Sequence, residues 1–406
     1  MQVKIFINSN PYYSSSATGN RWLTLIEGLN NLGVEVKIFI IGNYKSVEEK
    51  RKFQTNTEID GVKLNYFNSK IVDTIWKKRY YKYISSHFNL VANKRKIYKE
   101  LNGFEGIVWS ENDLMLWKII ASFPNKAFKL ISEMSEFLDI HHDNKGNVLQ
   151  KRLGTVKQQF FEKKYINKLD GLILMTKNLI NHYNSFKDVP LLFHLPMTVD
   201  LDRFKVRNTP PEEFKSPYIA FVGVMNDAKD GVNILIEAFN KISYNYPSLN
   251  LYLVGAWNYD TPSHQSRIKE LNQAKRIKWM GEYSRDLIPS IISNAKLLVL
   301  PRPDSKQAQG GFPTKLGEYL ATGNPVCATS VGEIPDYLED KKSIYFAEPG
   351  SINAFAQVLS FALEEPTEAK EVGLKGKEIA EKYFNKNIQS KKLYHFLERI
   401  YYEHKK

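Results

Sequence analysis

One cysteine, Cys327, stands in 406 residues, so no internal disulfide can form, which agrees with a reducing compartment. Long apolar runs are missing too. Stretches such as "GLILM" at 171–175 and "LLVLP" at 297–301 fall far short of the ~20 residues that a spanning helix needs. The opening "MQVKIFINSN" has no basic start, long apolar stretch or small-residue cleavage site of a secretory signal, and the expected location is the cytoplasm. No G-x-G-x-x-G follows the first predicted strand, which speaks against a nicotinamide-dependent dehydrogenase. No G-x-x-x-x-G-K-[ST] occurs, which speaks against a P-loop nucleotidase. Low-complexity sequence is absent, and 43% hydrophobic with 25% charged residues is a globular composition.

The net charge of +13 is unevenly spread. Residues 1–205 hold 31 Lys and Arg against 20 Asp and Glu, whereas 206–406 hold 26 against 24. The excess gathers in 77–99, "KKRYYKYISSHFNLVANKRKIYK", with eight basic residues, five Tyr or Phe and no acid. Basic residues interleaved with aromatics suit an anionic membrane surface or nucleic acid, and also an ordinary solvated helix face. The membrane surface is the expected partner; nucleic acid is not.

Strand and helix patterns alternate along the chain. "VKIFIN" at 3–8 reads as a strand and "NRWLTLIEGLNNLG" at 20–33 as a helix, with Trp22, Leu25, Ile26 and Leu29 on one face and Gly33 as its stop. Further strands are predicted at 34–42, 106–109, 128–132 and 171–175. After the proline-rich 205–217 they resume at 218–223, 249–255, 276–281, 296–301 and 325–329. The alternation predicts parallel sheets with helices on both faces, divided into a domain over 1–205, a second over 206–384, and a helix over 385–406 packing back on the first. Two doubly wound, Rossmann-like domains of this kind face each other across a cleft, with ligands at the carboxyl ends of the strands.

The chemistry concentrates in "LVLPRPDSKQAQGGFPTKLGEYLATG": a buried strand, a loop of about a dozen residues and a helix. Pro313 suits the first helical position, leaving the amides of Thr314 and Lys315 as orphan donors for an anion. Gly310 and Gly311 admit a ligand close to the backbone. Glu318 lies one turn deeper on the same face, where a carboxylate would repel phosphate but accept hydrogen bonds from ribose hydroxyls; the alternative is a plain solvated glutamate. In "FVGVMNDAKDG", a strand ends at Gly223 and the following turn delivers Lys229, a point charge suited to a diphosphate.

Together these residues resemble glycosyltransferase family 4, retaining enzymes of the GT-B fold. The resemblance is strongest from 218 to 340, through the Gly223–Lys229 turn, "LYLVGA", "IKWMGEYSRDLIPSIISNAKLLVLP" and "GFPTKLGEYLATGNPVCATSVGEIPDYL". It is looser in "SATGNRWLTLIEGLNNLGVEVKIF", where Gly19 stands in the family's glycine-rich turn, and in "LPMTVDLDRF". The resemblance implies a nucleotide-sugar donor and a glycan or lipid-linked acceptor in glycan synthesis, with no metal and no other cofactor. It implies a role for Lys229 on the donor diphosphate, for Glu318 on its ribose, and for the amides of Thr314 and Lys315 on the distal phosphate. Gly281, Glu282 and Tyr283 would border the base, and Gly310, Gly311 and Phe312 belong to the same donor stretch.

Two departures accompany it. Gly310 replaces the first acid of the family's pair, which contacts the transferred sugar. Val224 replaces an arginine whose charge Arg302 or Lys315 would supply. A family histidine after a middle strand of the first domain aligns with Ser135, with Glu133, Glu136 and His141 as neighbouring alternatives. "DIHHD" at 139–143 and Asp200-x-Asp202 read as loop residues rather than metal ligands, and Cys327 as core. A nucleotide-sugar epimerase or phosphorylase on a related fold is the alternative enzyme. A sugar-nucleotide-binding scaffold without activity is the alternative from another class.

Overall fold

The computed structural model describes residues 1–13, 16–54, 56–74, 76–77, 86–124, 126–138, 148–206, 208–256, 260–271 and 273–402. The described residues within Met1–Asp139, Asn147–Leu195 and Gln389–Lys406 form one unit, and those within Pro196–Ile388 a second.

The first unit is built on an eight-stranded sheet of β1 (Gln2–Ile7), β2 (Glu35–Ile40), β3 (Asn56–Ile59), β4 (Val62–Tyr66), β5 (Ile107–Ser110), β6 (Lys129–Met134), β7 (Gly171–Leu174) and β8 (Leu191–His194), ordered β3-β4-β2-β1-β5-β6-β7-β8. Only β3 runs antiparallel, paired to β4 in a hairpin. That hairpin and β8 are strands that periodicity missed, each being short. The continuous burial of β5 and β7 follows from helices on both faces, which is why these strands read as unbroken apolar runs. The first helix spans Ala17–Asn31, three residues earlier than predicted, because Ser16 Oγ caps it by accepting the Gly19 N–H at 3.0 Å. The last helix, Lys386–Tyr402, contributes Leu393, Phe396, Leu397 and Ile400 to the core of this unit, with Phe396 stacked on Phe193 at 4.6 Å.

The second unit carries six parallel strands, β9 (Tyr218–Val222), β10 (Asn250–Val254), β11 (Ile277–Gly281), β12 (Leu297–Leu300), β13 (Val326–Thr329) and β14 (Tyr345–Ala347), ordered β11-β10-β9-β12-β13-β14. Residues 196–205, placed with the first domain by sequence, count with this unit. Met197 fills the space over Gly317, Val199 bridges to Asn385, and Asp200 pairs with Lys386 at 2.9 Å. The proline-rich stretch also docks here, its buried Phe214 packing edge-on against Tyr218, Tyr252 and Tyr283. Among the described residues no helix is long and apolar enough to cross a membrane.

Candidate functional site

In the second sheet the strand order reverses between β9 and β12, the place where an open parallel sheet leaves a crevice at its carboxyl edge. β9 and β12 are in register only through Ile219 and Ala220, so the strands part before their ends. The Tyr319 hydroxyl takes over there, accepting the Val222 N–H at 2.7 Å, and burial raises the pKa of this phenol. Glycines terminate three neighbouring strands. Gly223 N–H donates to Val254 O, and Gly255 N–H to Gly281 O, both at 2.8 Å. A Cβ on Gly255 would overlap the Gly223 carbonyl, so the close approach of these ends requires glycine.

Lys229 leaves this edge on a single helical turn, Asp227–Asp230, capped by Asn226, whose Oδ1 accepts the Lys229 N–H at 2.8 Å. Arg302, 2% exposed at the end of β12, donates Nε to the Lys229 carbonyl at 3.2 Å, so the lysine is held from both sides of its backbone. Asp227 anchors the turn: it accepts the Asn233 N–H at 2.8 Å and lies 3.0 Å from His264 Nε2. Gly231 closes it at φ +65°, with no room for a Cβ against the Pro301 carbonyl.

The helix of Glu318 runs Thr314–Ala321. Pro313 precedes it as the cap residue, correcting the expected first helical position: its ψ of 110° is extended, and its carbonyl accepts the Leu316 N–H at 3.0 Å. The amides of Thr314 and Lys315 thus precede the first hydrogen bond of the helix, as an anion site requires. The expected loop ahead of it contains a short helix, Lys306–Gly310, capped by Ser305. Gly310 and Gly311 are buried at its end, and Phe312 packs on Phe384 at 5.3 Å and Tyr337 at 5.7 Å. Lys315 reaches back to the β9 edge. Its Nζ lies 3.0 Å from Asp230 Oδ1 and occupies the space where Gly223 lacks a side chain. Burial lowers the pKa of Lys315, and Asp230 works against that shift.

Glu318 Oε1 accepts a hydrogen bond from Arg203 Nη1 at 2.7 Å, and Arg203 Nη2 donates to the Arg285 carbonyl at 2.5 Å. Sequence reading passes over Arg203, because nothing local in "VDLDRF" marks a partner 115 residues away. Of the turn after β11, Glu282 is exposed, and Tyr283 donates to Glu213 at 2.6 Å; burial and that carboxylate push its phenol up to about 12.

In the first unit, Gly19 lies inside the first turn of a helix instead of the expected glycine-rich turn, since Ser16 caps the chain ahead of it. Glu133 is 9% exposed on β6, and Arg21 binds its Oε1 while donating to the Leu195 carbonyl at 2.9 Å. Ser135 and Glu136 follow β6, half-buried; His141 lies outside the described residues. Glu111 too escapes sequence reading. It follows β5 at this sheet's own reversal of order, between β1 and β5, where its N–H donates to the Phe6 carbonyl and its Oε2 accepts the Asn8 N–H at 2.6 Å. Burial pushes the Glu111 carboxyl above the usual range. Among the described residues no three His, Cys, Asp or Glu side chains gather as a metal site.

Residues 216–365 match the model of the family described as glycosyl transferases group 1. Over 173 residues the chain is 23% identical to the amylovoran biosynthesis glycosyltransferase AmsK of Erwinia amylovora, an alignment spanning 42% of each protein. The sucrose-phosphate synthase of Thermosynechococcus elongatus is similar in structure over 99% of both chains, with a TM-score of 0.78 and 16% identity. Anabaena HepE, solved in complex with UDP-glucose, is similar over 97% of this chain and 99% of its own, with a TM-score of 0.69 and 13% identity. The chain has the GT-B fold, and 216–365, the stretch that matches the family model, lies within its second unit.

Proposed function

We propose that the protein transfers a sugar from a nucleoside-diphosphate sugar to an acceptor hydroxyl, with retention of configuration, in the synthesis of a glycan or lipid-linked intermediate at the cytoplasmic face of a membrane. The observation that carries this reading is the convergence on one sheet edge of the Gly223 gap, the Lys229 turn, the Lys315 ammonium and the start of the Glu318 helix. Negative charge grows on the leaving diphosphate as the anomeric bond breaks, and donors already fixed in place stabilise it without reorganising. Lys229 and Lys315 supply the two cations, with Lys315 in the role left open by Val224. The amides of Thr314 and Lys315 hold the distal phosphate, Glu318 receives the ribose, and the turn at Gly281–Tyr283 borders the base. HepE, with its UDP-glucose, makes a uridine diphosphate sugar the first donor to try. Acceptor binding is assigned to the first unit, at the carboxyl ends of β5 and β6 near Glu111, Glu133, Ser135 and Glu136.

A thermal-shift screen against UDP, GDP, ADP and their sugars tests the donor, because a ligand that binds only the folded state raises its apparent stability. Transfer or donor hydrolysis lost in Lys229→Ala and Glu318→Ala supports the enzyme. Gly310, standing where an acid would touch the sugar, favours a second reading, a sugar-nucleotide-binding scaffold. Tight binding with no turnover of any donor would select it.

A further inference from the structure

Arg203 stands in the short turn Leu201–Phe204 with its side chain 14% exposed, and its guanidinium bonds in two directions. Nη1 holds Glu318 Oε1 at 2.7 Å, and Nη2 holds the carbonyl of Arg285, in the segment that follows β11, at 2.5 Å. Among the described residues Glu318 Oε2 accepts no hydrogen bond. One carboxylate oxygen is therefore committed to a rigid planar fork, while its twin stays open. A glutamate left to itself would lose rotamer freedom on meeting a ligand, and a braced one has already lost it.

We propose that Arg203 is a positioning residue for nucleoside recognition. It turns the Glu318 carboxylate so that Oε2 meets the vicinal hydroxyls of a ribose, and it ties that carboxylate to the segment after β11. The sugar and base ends of one nucleoside are then read by a single braced assembly. This rests on the reading of Glu318 as the ribose acceptor. A purely structural Arg203, stapling the 201–204 turn in place, would be indifferent to ribose hydroxyls.

The test is calorimetric titration of wild type, Arg203→Gln, Arg203→Lys and Glu318→Gln. The probes are whichever of UDP, GDP and ADP most raises the wild-type unfolding temperature, its 2′-deoxy and 3′-deoxy forms, and inorganic pyrophosphate. Wild type should prefer the ribo form over at least one deoxy form by about tenfold, the scale of one charge-assisted hydrogen bond. Glu318→Gln and Arg203→Gln should both bring that ratio within about twofold, with Arg203→Lys between and pyrophosphate binding alike in all four. A ratio kept in Arg203→Gln but lost in Glu318→Gln overturns this inference and leaves the ribose reading intact. Weakened pyrophosphate binding in Arg203→Gln also overturns it, since the effect would then be general. A wild-type ratio near one, or no binding of any of the three nucleotides, overturns the ribose reading and the inference with it. Should Arg203→Gln fail to fold, an unchanged ratio in Arg203→Lys is the overturning result.

Discussion

Lys315 Nζ lies 3.0 Å from Asp230 Oδ1 and 4.5 Å from the centre of the Phe221 ring, so an ammonium from one helix is set between the end of β9 and the turn that carries Lys229. Asp230 is 3% exposed. Removing its partner leaves a buried carboxylate uncompensated, so Lys315→Met should cost about 3 kcal/mol of stability in urea unfolding. The double variant Lys315→Met with Asp230→Asn should recover about half or more of that loss, because the stranded charge goes with it. Equal losses in the single and double variants would refute the coupling.

The raised pKa of Glu111 gives a pH dependence of definite sign. Its folded carboxyl favours the protonated form because of burial. Below the ordinary glutamate range, folded and unfolded chains are both protonated and the group is neutral in effect. Rising pH through the window above that range ionises the unfolded chain first, so Glu111 withdraws stability there. Glu111→Gln should therefore stabilise the protein by about 1 kcal/mol at pH 7, an advantage that disappears near pH 4. Its amide oxygen can still accept the Asn8 N–H. A gain independent of pH would contradict this account.

Two glycines with left-handed backbones separate strain from overlap. Gly33 has φ +80° and open space where a Cβ would stand, so Gly33→Ala should cost about 1 kcal/mol. Gly231, at φ +65°, faces the Pro301 carbonyl, and Gly231→Ala should cost about 2 kcal/mol or more. Because Gly231 closes the Lys229 turn, the same variant should weaken diphosphate binding, read by calorimetry, while Gly33→Ala leaves it unchanged.

The basic stretch 77–99 presents Lys77, Lys94, Arg95 and Lys99 as exposed side chains; residues 78–85 lie outside the described ones. Near an anionic surface each such charge is worth about 1 kcal/mol. Replacing the four with Gln should release the protein from phosphatidylserine vesicles in a sedimentation assay, leaving nucleotide affinity untouched. Unchanged sedimentation would end the membrane reading.

Much of this organisation was legible in the sequence because it is local. Buried parallel strands show as apolar runs such as Leu297–Leu300, helices as a period near 3.6, and strand ends as Gly223, Gly255 and Gly281. The α/β class follows from such patterns, as do the turn that carries Lys229 after β9 and the helix that carries Glu318. Boundaries slipped where a single cap decided them: Ser16 drew the first helix forward to Ala17, and the Pro313 carbonyl moved the start of the Glu318 helix to Thr314.

Backbone period and capping act over a few residues, so local order along the chain sets which residue types stand at strand ends and helix starts. Which side chains meet was decided only by tertiary structure. Arg203 reaches Glu318 across 115 positions, and Arg21 reaches Glu133 across 112. Lys315 turns from its own helix to Asp230 because Gly223 leaves that space open. Such pairings depend on where a folded sheet brings distant segments together and on which rotamer the packing allows, and no short window of sequence contains either.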